Sequence, residues 1–280
     1  MALHGAEKCR NSTPTPIPTL MPRFAANLSM LYPEHALVDR VAAAARDGFA
    51  AVEVQGPYAV PAPELRRVLA DTRLQLVLMN APQGDYAAGE RGLAALPGRE
   101  RDFEAAMAQA LDYARTVAAP RLHVMAGRPG DLPAEACRAT YLRNLAYACD
   151  LVRPHGITVT IEPINTRDVP GYFLSHQQPA ADVIAALNRP NLGLQMDFYH
   201  LQIMEGDLIR HLERHFAVVA HVQIAGVPQR HEPDVGEVNH PALFARLDTL
   251  RYAGWVGCEY RPARGGPGGT SAGLGWLRRV

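Results

Sequence analysis

An eightfold alternation of short apolar runs with longer stretches of helical period constrains this chain more than any other feature. The runs are Arg23–Ser29, Ala51–Gln55, Gln75–Asn80, Arg121–Met125, Thr158–Glu162, Leu192–Asp197, Val218–Ile224 and Trp255–Glu259, and each reads as a strand. Between them lie helical stretches at Leu37–Asp47, Pro63–Asp71, Phe103–Val117, Ala134–His155, Gln177–Leu187, Asp207–His215 and Pro241–Leu250. In the third, Phe103, Ala106, Met107, Ala110, Leu111, Ala114 and Val117 repeat at the spacing that builds one apolar helix face. Strict alternation implies a parallel sheet, and eight units are the number that closes a (β/α)8 TIM barrel. An open doubly wound sheet would want a glycine-rich phosphate turn after its first strand. Here that turn reads Asn27-Leu28-Ser29-Met30-Leu31-Tyr32, without glycine.

No linker interrupts the alternation, so residues 22–280 read as one domain. Residues 1–21 read as a disordered extension, because Glu7, Lys8, Asn11 and the prolines Pro14, Pro16 and Pro18 deny them the apolar core of a signal peptide. No apolar run approaches the roughly 18 residues of a membrane span. The 28 basic residues balance 28 acidic ones, which removes the electrostatic reason to expect nucleic acid or an anionic membrane as partner. Cys9, Cys137, Cys149 and Cys258 form no C-x-x-C pair. Cys137 and Cys149 fall about 18 Å apart on one helix, and reduced thiols in a cytoplasmic protein are the expectation. The longest irregular stretch, Ala81–Gly98, follows the third strand and would lie over the barrel mouth.

Active sites of such barrels form at the C-terminal ends of the strands. The last four strands end or nearly end in Glu162, Asp197, Gln223 and Glu259, four oxygen-bearing side chains on adjacent strands. Ile161, Met196, Val222 and Ile224 flank them, so by alternation the apolar neighbours face the helices and the oxygens face inward. Three carboxylates at one point raise one another's pKa unless a cation neutralises them. An all-oxygen donor set suits Mg²⁺ or Mn²⁺, whereas Zn²⁺ favours His and Cys. The residues therefore point to a hard divalent metal at the barrel mouth. The bland alternative is four unrelated helix caps or solvated loop ends.

Several motifs carry a family resemblance: Met21-Pro22-Arg23-Phe24-Ala25-Ala26-Asn27-Leu28-Ser29-Met30-Leu31, Gly84-Asp85-Tyr86-Ala87-Ala88-Gly89-Glu90-Arg91-Gly92, Ile161-Glu162-Pro163-Ile164-Asn165, Asp197-Phe198-Tyr199-His200 and His221-Val222-Gln223-Ile224-Ala225. Further along stand Arg230-His231-Glu232-Pro233, Gly236-Glu237-Val238-Asn239 and Gly257-Cys258-Glu259-Tyr260. In this order they resemble the hydroxypyruvate isomerase family of xylose-isomerase-like TIM barrels, from Met21 nearly to the end of the chain. The resemblance implies a metal-dependent isomerisation of hydroxypyruvate to tartronate semialdehyde through an enediolate. It implies catalytic glutamates at Glu162 and Glu259, and metal ligands at Glu162, Asp197, Gln223 and Glu259. Relatives that isomerise four-carbon 2-oxo-tetronates or epimerise ketoses keep those substrates open as alternatives. The wall after the second strand departs from the family pattern, with Gln55-Gly56 where an aromatic or aliphatic segment is common.

Around this set, His200, three residues after Asp197, is placed to reach a substrate oxygen. Arg230 and Arg261 are candidates to pair with a substrate carboxylate, since a guanidinium can bind one bidentately. Asn80 and His123 could line the pocket, while His221 and Glu53 read as hydrogen-bonded structural groups. The expected partner is a small 2-oxo acid, with no nucleic acid and no membrane, and a homo-oligomer is left open. Two other classes share the architecture: multi-zinc phosphodiester-cleaving endonucleases, which need additional histidine ligands and a basic groove, and barrels that bind without catalysis, which lose metal ligands.

Overall fold

A computed structural model describes residues 22–279, and the extension expected over 1–21 lies outside them. Eight parallel strands close into a barrel in sequence order: β1 Arg23–Asn27, β2 Ala51–Val54, β3 Gln75–Asn80, β4 Arg121–His123, β5 Thr158–Ile161, β6 Leu192–Asp197, β7 Val219–Ile224 and β8 Trp255–Cys258. The helices are α1 Leu37–Arg46, α2 Ala62–Thr72, α3 Glu100–Val117, α4 Ala134–Val152, α5 Gln177–Leu187, α6 Phe198–Met204, α7 Leu208–His215, α8 His240–Thr249 and α9 Gly269–Gly273. The long stretch expected after β4 is α4 followed by a 3₁₀ turn, Arg153–His155. Cys137 and Cys149 are buried free thiols on α4. No helix among the described residues is long and apolar enough to cross a membrane.

The principal apolar core lies between sheet and helices. Phe24, Val52, Leu122, Val159, Ile161, Leu194, Met196, Val222 and Val256 point outward from the strands and meet helix residues such as Met107, Ala110, Leu145 and Leu247. The inside of the barrel is built differently. At its bottom Ala25, Ala51 and Val77 pack as a small separate plug against Trp255. Above the plug the interior is polar, with Asn27, Glu53, Thr160, Gln195, His221 and Gln223 all buried.

Those side chains hydrogen-bond to one another, as buried polar groups tend to, with only His221 Nδ1 of the network left without a partner among the described residues. Thr160 Oγ1 donates to Gln195 Oε1 at 3.0 Å, and Gln195 Nε2 to Gln223 Oε1 at 2.6 Å. Gln223 Nε2 reaches Glu53 Oε1 at 2.8 Å, which also accepts from Asn27 Nδ2 at 2.9 Å. His221 Nε2 meets the other Glu53 oxygen at 2.6 Å. Room for the Glu53 carboxylate comes from Gly257 on β8, where a Cβ would collide with both of its oxygens. The network supports the barrel mouth from below.

Candidate active site

Strand ends deliver the acids. Glu162 directly follows β5, Asp197 closes β6 and Glu259 directly follows β8, while Gln223 is the penultimate residue of β7. Their ladder positions are staggered: Asp197 pairs with Gln223, but Gln223 pairs with Gly257, two residues before Glu259. Strand tilt in a closed barrel converts that stagger into a common height along the axis. All four are buried, and Glu162 and Glu259 line one cavity of about 340 Å³ together with Asn80, His123, His200, Arg230 and Arg261.

Each acid is held in its own way. Asp197 caps α6 by accepting the Tyr199 backbone N–H on Oδ1 at 2.8 Å, leaving Oδ2 for Arg230 Nη2 at 3.3 Å. Glu259 Oε1 accepts from Gln55 Nε2 and Arg230 Nη2, both at 2.7 Å, while Gln223 Nε2 donates to Oε2. Glu162 is different: Oε1 is buried without a hydrogen-bond partner among the described residues, and Oε2 lies 3.5 Å from His123 Nε2. Atoms of Glu162, Asp197 and His200 lie within 4.8 Å of one another, a grouping that can hold a metal ion.

The tautomer of His200 bears on its part in that grouping. Its Nδ1 receives the Asn165 backbone N–H at 3.4 Å and Asn165 Nδ2 at 2.6 Å. Asn165 is itself fixed, since its Oδ1 accepts the Asp168 N–H and its Nδ2 donates to the Asp168 carboxylate. An imidazole accepting at Nδ1 carries its proton on Nε2. Burial, with Arg230 nearby, holds the ring well below the usual histidine range and so neutral. Nε2–H is then a donor near Asp197 Oδ2, 3.6 Å away. A metal needs a lone pair at that atom, which this tautomer lacks, although Arg230 Nη2, a donor only, also lies 3.5 Å from it.

Burial, reinforced by the charges of Glu259 and Asp197, pushes Glu162 well above the usual carboxylate range. Burial lifts Asp197 to about 6 and Glu259 to about 8, with Arg230 opposing both. Burial also depresses His123, to about 3. Arg230 is a buried cation that enters the barrel mouth from the loop after β7 at φ +58. A non-glycine residue in that region costs on the order of 1–3 kcal/mol. The loop holds it there through Arg230 N–H to Gly226 O at 2.8 Å and Arg261 N–H to Arg230 O at 2.7 Å.

A family model described as Xylose isomerase-like TIM barrel matches residues 41–280. The chain belongs to this xylose isomerase-like TIM barrel family. Within it, a protein of Cupriavidus necator named 2-oxo-tetronate isomerase is 57% identical over 92% of this chain and 98% of its own length. A protein of Escherichia coli named hydroxypyruvate isomerase is 41% identical over 92% of this chain and 98% of its own. A crystal structure described as AP endonuclease, family 2 from Brucella melitensis superimposes with a TM-score of 0.90 at 47% identity, covering 93% of this chain and 99% of that one.

Sequence reasoning overlooked part of this family member's cavity. Gln83, Arg91, Asp168 and Gln195 also line it, as does Gln55, which the sequence had placed in the wall after the second strand. Asn165 and Asp168 had a local signal, an Asn-x-x-Asp turn three residues after Glu162. Gln195 had one in its position two residues before Asp197 on the same strand face. Arg91 had one in its place within the Gly84–Gly92 motif of the loop expected over the mouth, though no spacing there marked its side chain.

Proposed function

We propose that this chain is an isomerase of a small 2-oxo acid bearing a hydroxyl on carbon 3, working with Mg²⁺ or Mn²⁺ through an enediolate. The observation that carries the reading is the convergence of Glu162, Asp197 and Glu259, buried carboxylates that resist ionising together until a cation offsets them. The relative named for 2-oxo-tetronates supports a four-carbon substrate. Hydroxypyruvate, yielding tartronate semialdehyde, is the three-carbon version of the same reaction.

The donors fit a hard cation, since carboxylate oxygens suit Mg²⁺ or Mn²⁺ and Glu162 Oε1 lacks any other partner among the described residues. Glu162, Asp197 and Glu259 would hold it, joined by the amide oxygen of Gln223 if that amide leaves its hydrogen bond with Gln195. When bound, the cation supplies Lewis acidity at the substrate carbonyl and the adjacent hydroxyl oxygen.

The proton work falls to the chain. One of Glu162 and Glu259 removes the proton from C3, so that the C–H electrons form the C2–C3 double bond and charge moves to O2. The other glutamate delivers a proton to C2 while the O3 hydroxyl proton passes to O2, so that C3 becomes the carbonyl and O2 the hydroxyl, and proton exchange with solvent restores both glutamates. A glutamate that would hold the cation through one oxygen keeps its second oxygen to take and return a proton. His200 Nε2–H donates to a substrate oxygen. Phosphodiester cleavage with several zinc ions is less well supported: His221 is bound to Glu53, His200 Nδ1 is taken by Asn165, and the charge balance is even.

The test is an assay of hydroxypyruvate, 2-oxo-tetronates and neutral ketoses with Mg²⁺ or Mn²⁺ and after EDTA. The 2-oxo acids should turn over only with metal present. Turnover confined to neutral ketoses, or unchanged by EDTA, would overturn the reading.

A further inference from the structure

A 2-oxo acid brings its own carboxylate into a cavity already walled by acids, so that charge needs a cation not engaged elsewhere. Arg91, Arg230 and Arg261 are the arginines lining the cavity. Arg230 is engaged: its Nη2 serves both Glu259 and Asp197, and its guanidinium carbon lies 4.7 Å from the Tyr199 ring centroid. A substrate carboxylate brought to Arg230 would stand against the two acids that hold it.

The other two differ. Arg91, in the loop after β3, donates Nη1 to the backbone carbonyls of Tyr86 at 3.1 Å and Glu90 at 2.7 Å. Its guanidinium carbon lies 3.7 Å from the Tyr86 ring centroid. Arg261, two residues beyond Glu259, has its backbone fixed at both ends, by Arg230 O at 2.7 Å and by His231 Nδ1 at 2.8 Å. Its side chain is exposed and makes no hydrogen bond or ion pair among the described residues. Neither arginine has a carboxylate partner among them.

We infer that Arg91 and Arg261 are specificity-determining residues that take the substrate carboxylate at the cavity rim, while Arg230 stays with the acids. This rests on the 2-oxo acid reading above and deepens it. It sets the orientation of the substrate, with the carboxylate toward the rim arginines and C2 and C3 toward Glu162 and Glu259. It also selects for charge: a neutral ketose offers the same reacting carbons but nothing for the two cations to bind. The assignment of the carboxylate to Arg230, expected from the sequence, gives way to Arg91.

Steady-state kinetics on wild type, Arg261→Gln, Arg261→Lys and Arg91→Gln test this, with bound metal per chain and thermal midpoint measured alongside. Losing a charge-assisted hydrogen bond to the substrate should raise KM for hydroxypyruvate or a 2-oxo-tetronate about 10- to 100-fold. Because the carboxylate does not react, kcat should stay within about threefold. Metal content should not change, and Arg261→Lys should recover part of the KM. Arg261 carries the decisive variant, since its side chain holds nothing else in place. A KM within twofold of wild type in both Gln variants, or a loss confined to kcat, would overturn the assignment. If wild type turns over no 2-oxo acid, the functional reading and this subsite fall together. An active wild type with insensitive arginine variants removes the subsite alone.

Discussion

Glu259 shows how much of this site is decided by single side chains and how little of that a strand pattern displays. Its place at the end of β8 was legible, because an acid on an inward position of a parallel strand has few structural uses. Its three donors were not: Gln55 follows β2, Gln223 lies in β7 and Arg230 in the loop after β7, and no local spacing links them. With two acid/base glutamates, Glu162→Gln and Glu259→Gln should each lower kcat at least about 10²-fold. Circular dichroism should show the barrel intact in both, and an active Glu259→Gln enzyme would contradict the scheme. The raised carboxylate pKa values also set the pH dependence of metal binding. Their protons must leave before a cation enters, so affinity rises as pH rises and falls on acidification. Calorimetric titration with Mn²⁺ should show affinity increasing from about pH 6, where Asp197 titrates, to about pH 8, where Glu259 does. A flat profile would mean that these acids are not ligands.

At the scale of elements, the strand and helix pattern was readable because every strand is buried on its outer face against a helix. β3 and β6 and α5 run over the residues expected for them. Other strands stop earlier than expected where loop chemistry takes the backbone: β1 ends at Asn27, whose carbonyl accepts the Met30 and Leu31 N–H groups. α6 was missed because Asp197, legible as a strand-end acid, is also the cap of the helix that starts at Phe198. A strand passing directly into a helix leaves no loop residues to mark the change. The interior network was harder to foresee, since Glu53 finds His221 and Gln223 168 and 170 positions away. Gly257 is the element-level condition for it. Gly257→Ala should push on the Glu53 carboxylate, destabilise the fold by about 1–3 kcal/mol and lower activity by disturbing Gln223. Denaturant unfolding and kcat measure both effects, and an Ala variant unchanged in each would show that the network tolerates the displacement.

Over the whole molecule, an even balance of 28 basic and 28 acidic residues hides a vertical order within the barrel. An apolar plug lies at the bottom, a hydrogen-bonded polar layer around Glu53 above it, then three acids, and arginines at the rim. Composition reports none of this, because closure of the barrel brings together groups spread from Asn27 to Arg261. If, as proposed, the two glutamates move protons, no hydrogen passes directly between the carbons. Running the isomerisation in D₂O and reading the product by NMR tests this most directly. Deuterium should appear at C2, introduced from a glutamate that has exchanged with solvent. A product that keeps the substrate's own hydrogen at C2 in full, as direct hydride transfer would leave it, would contradict the account.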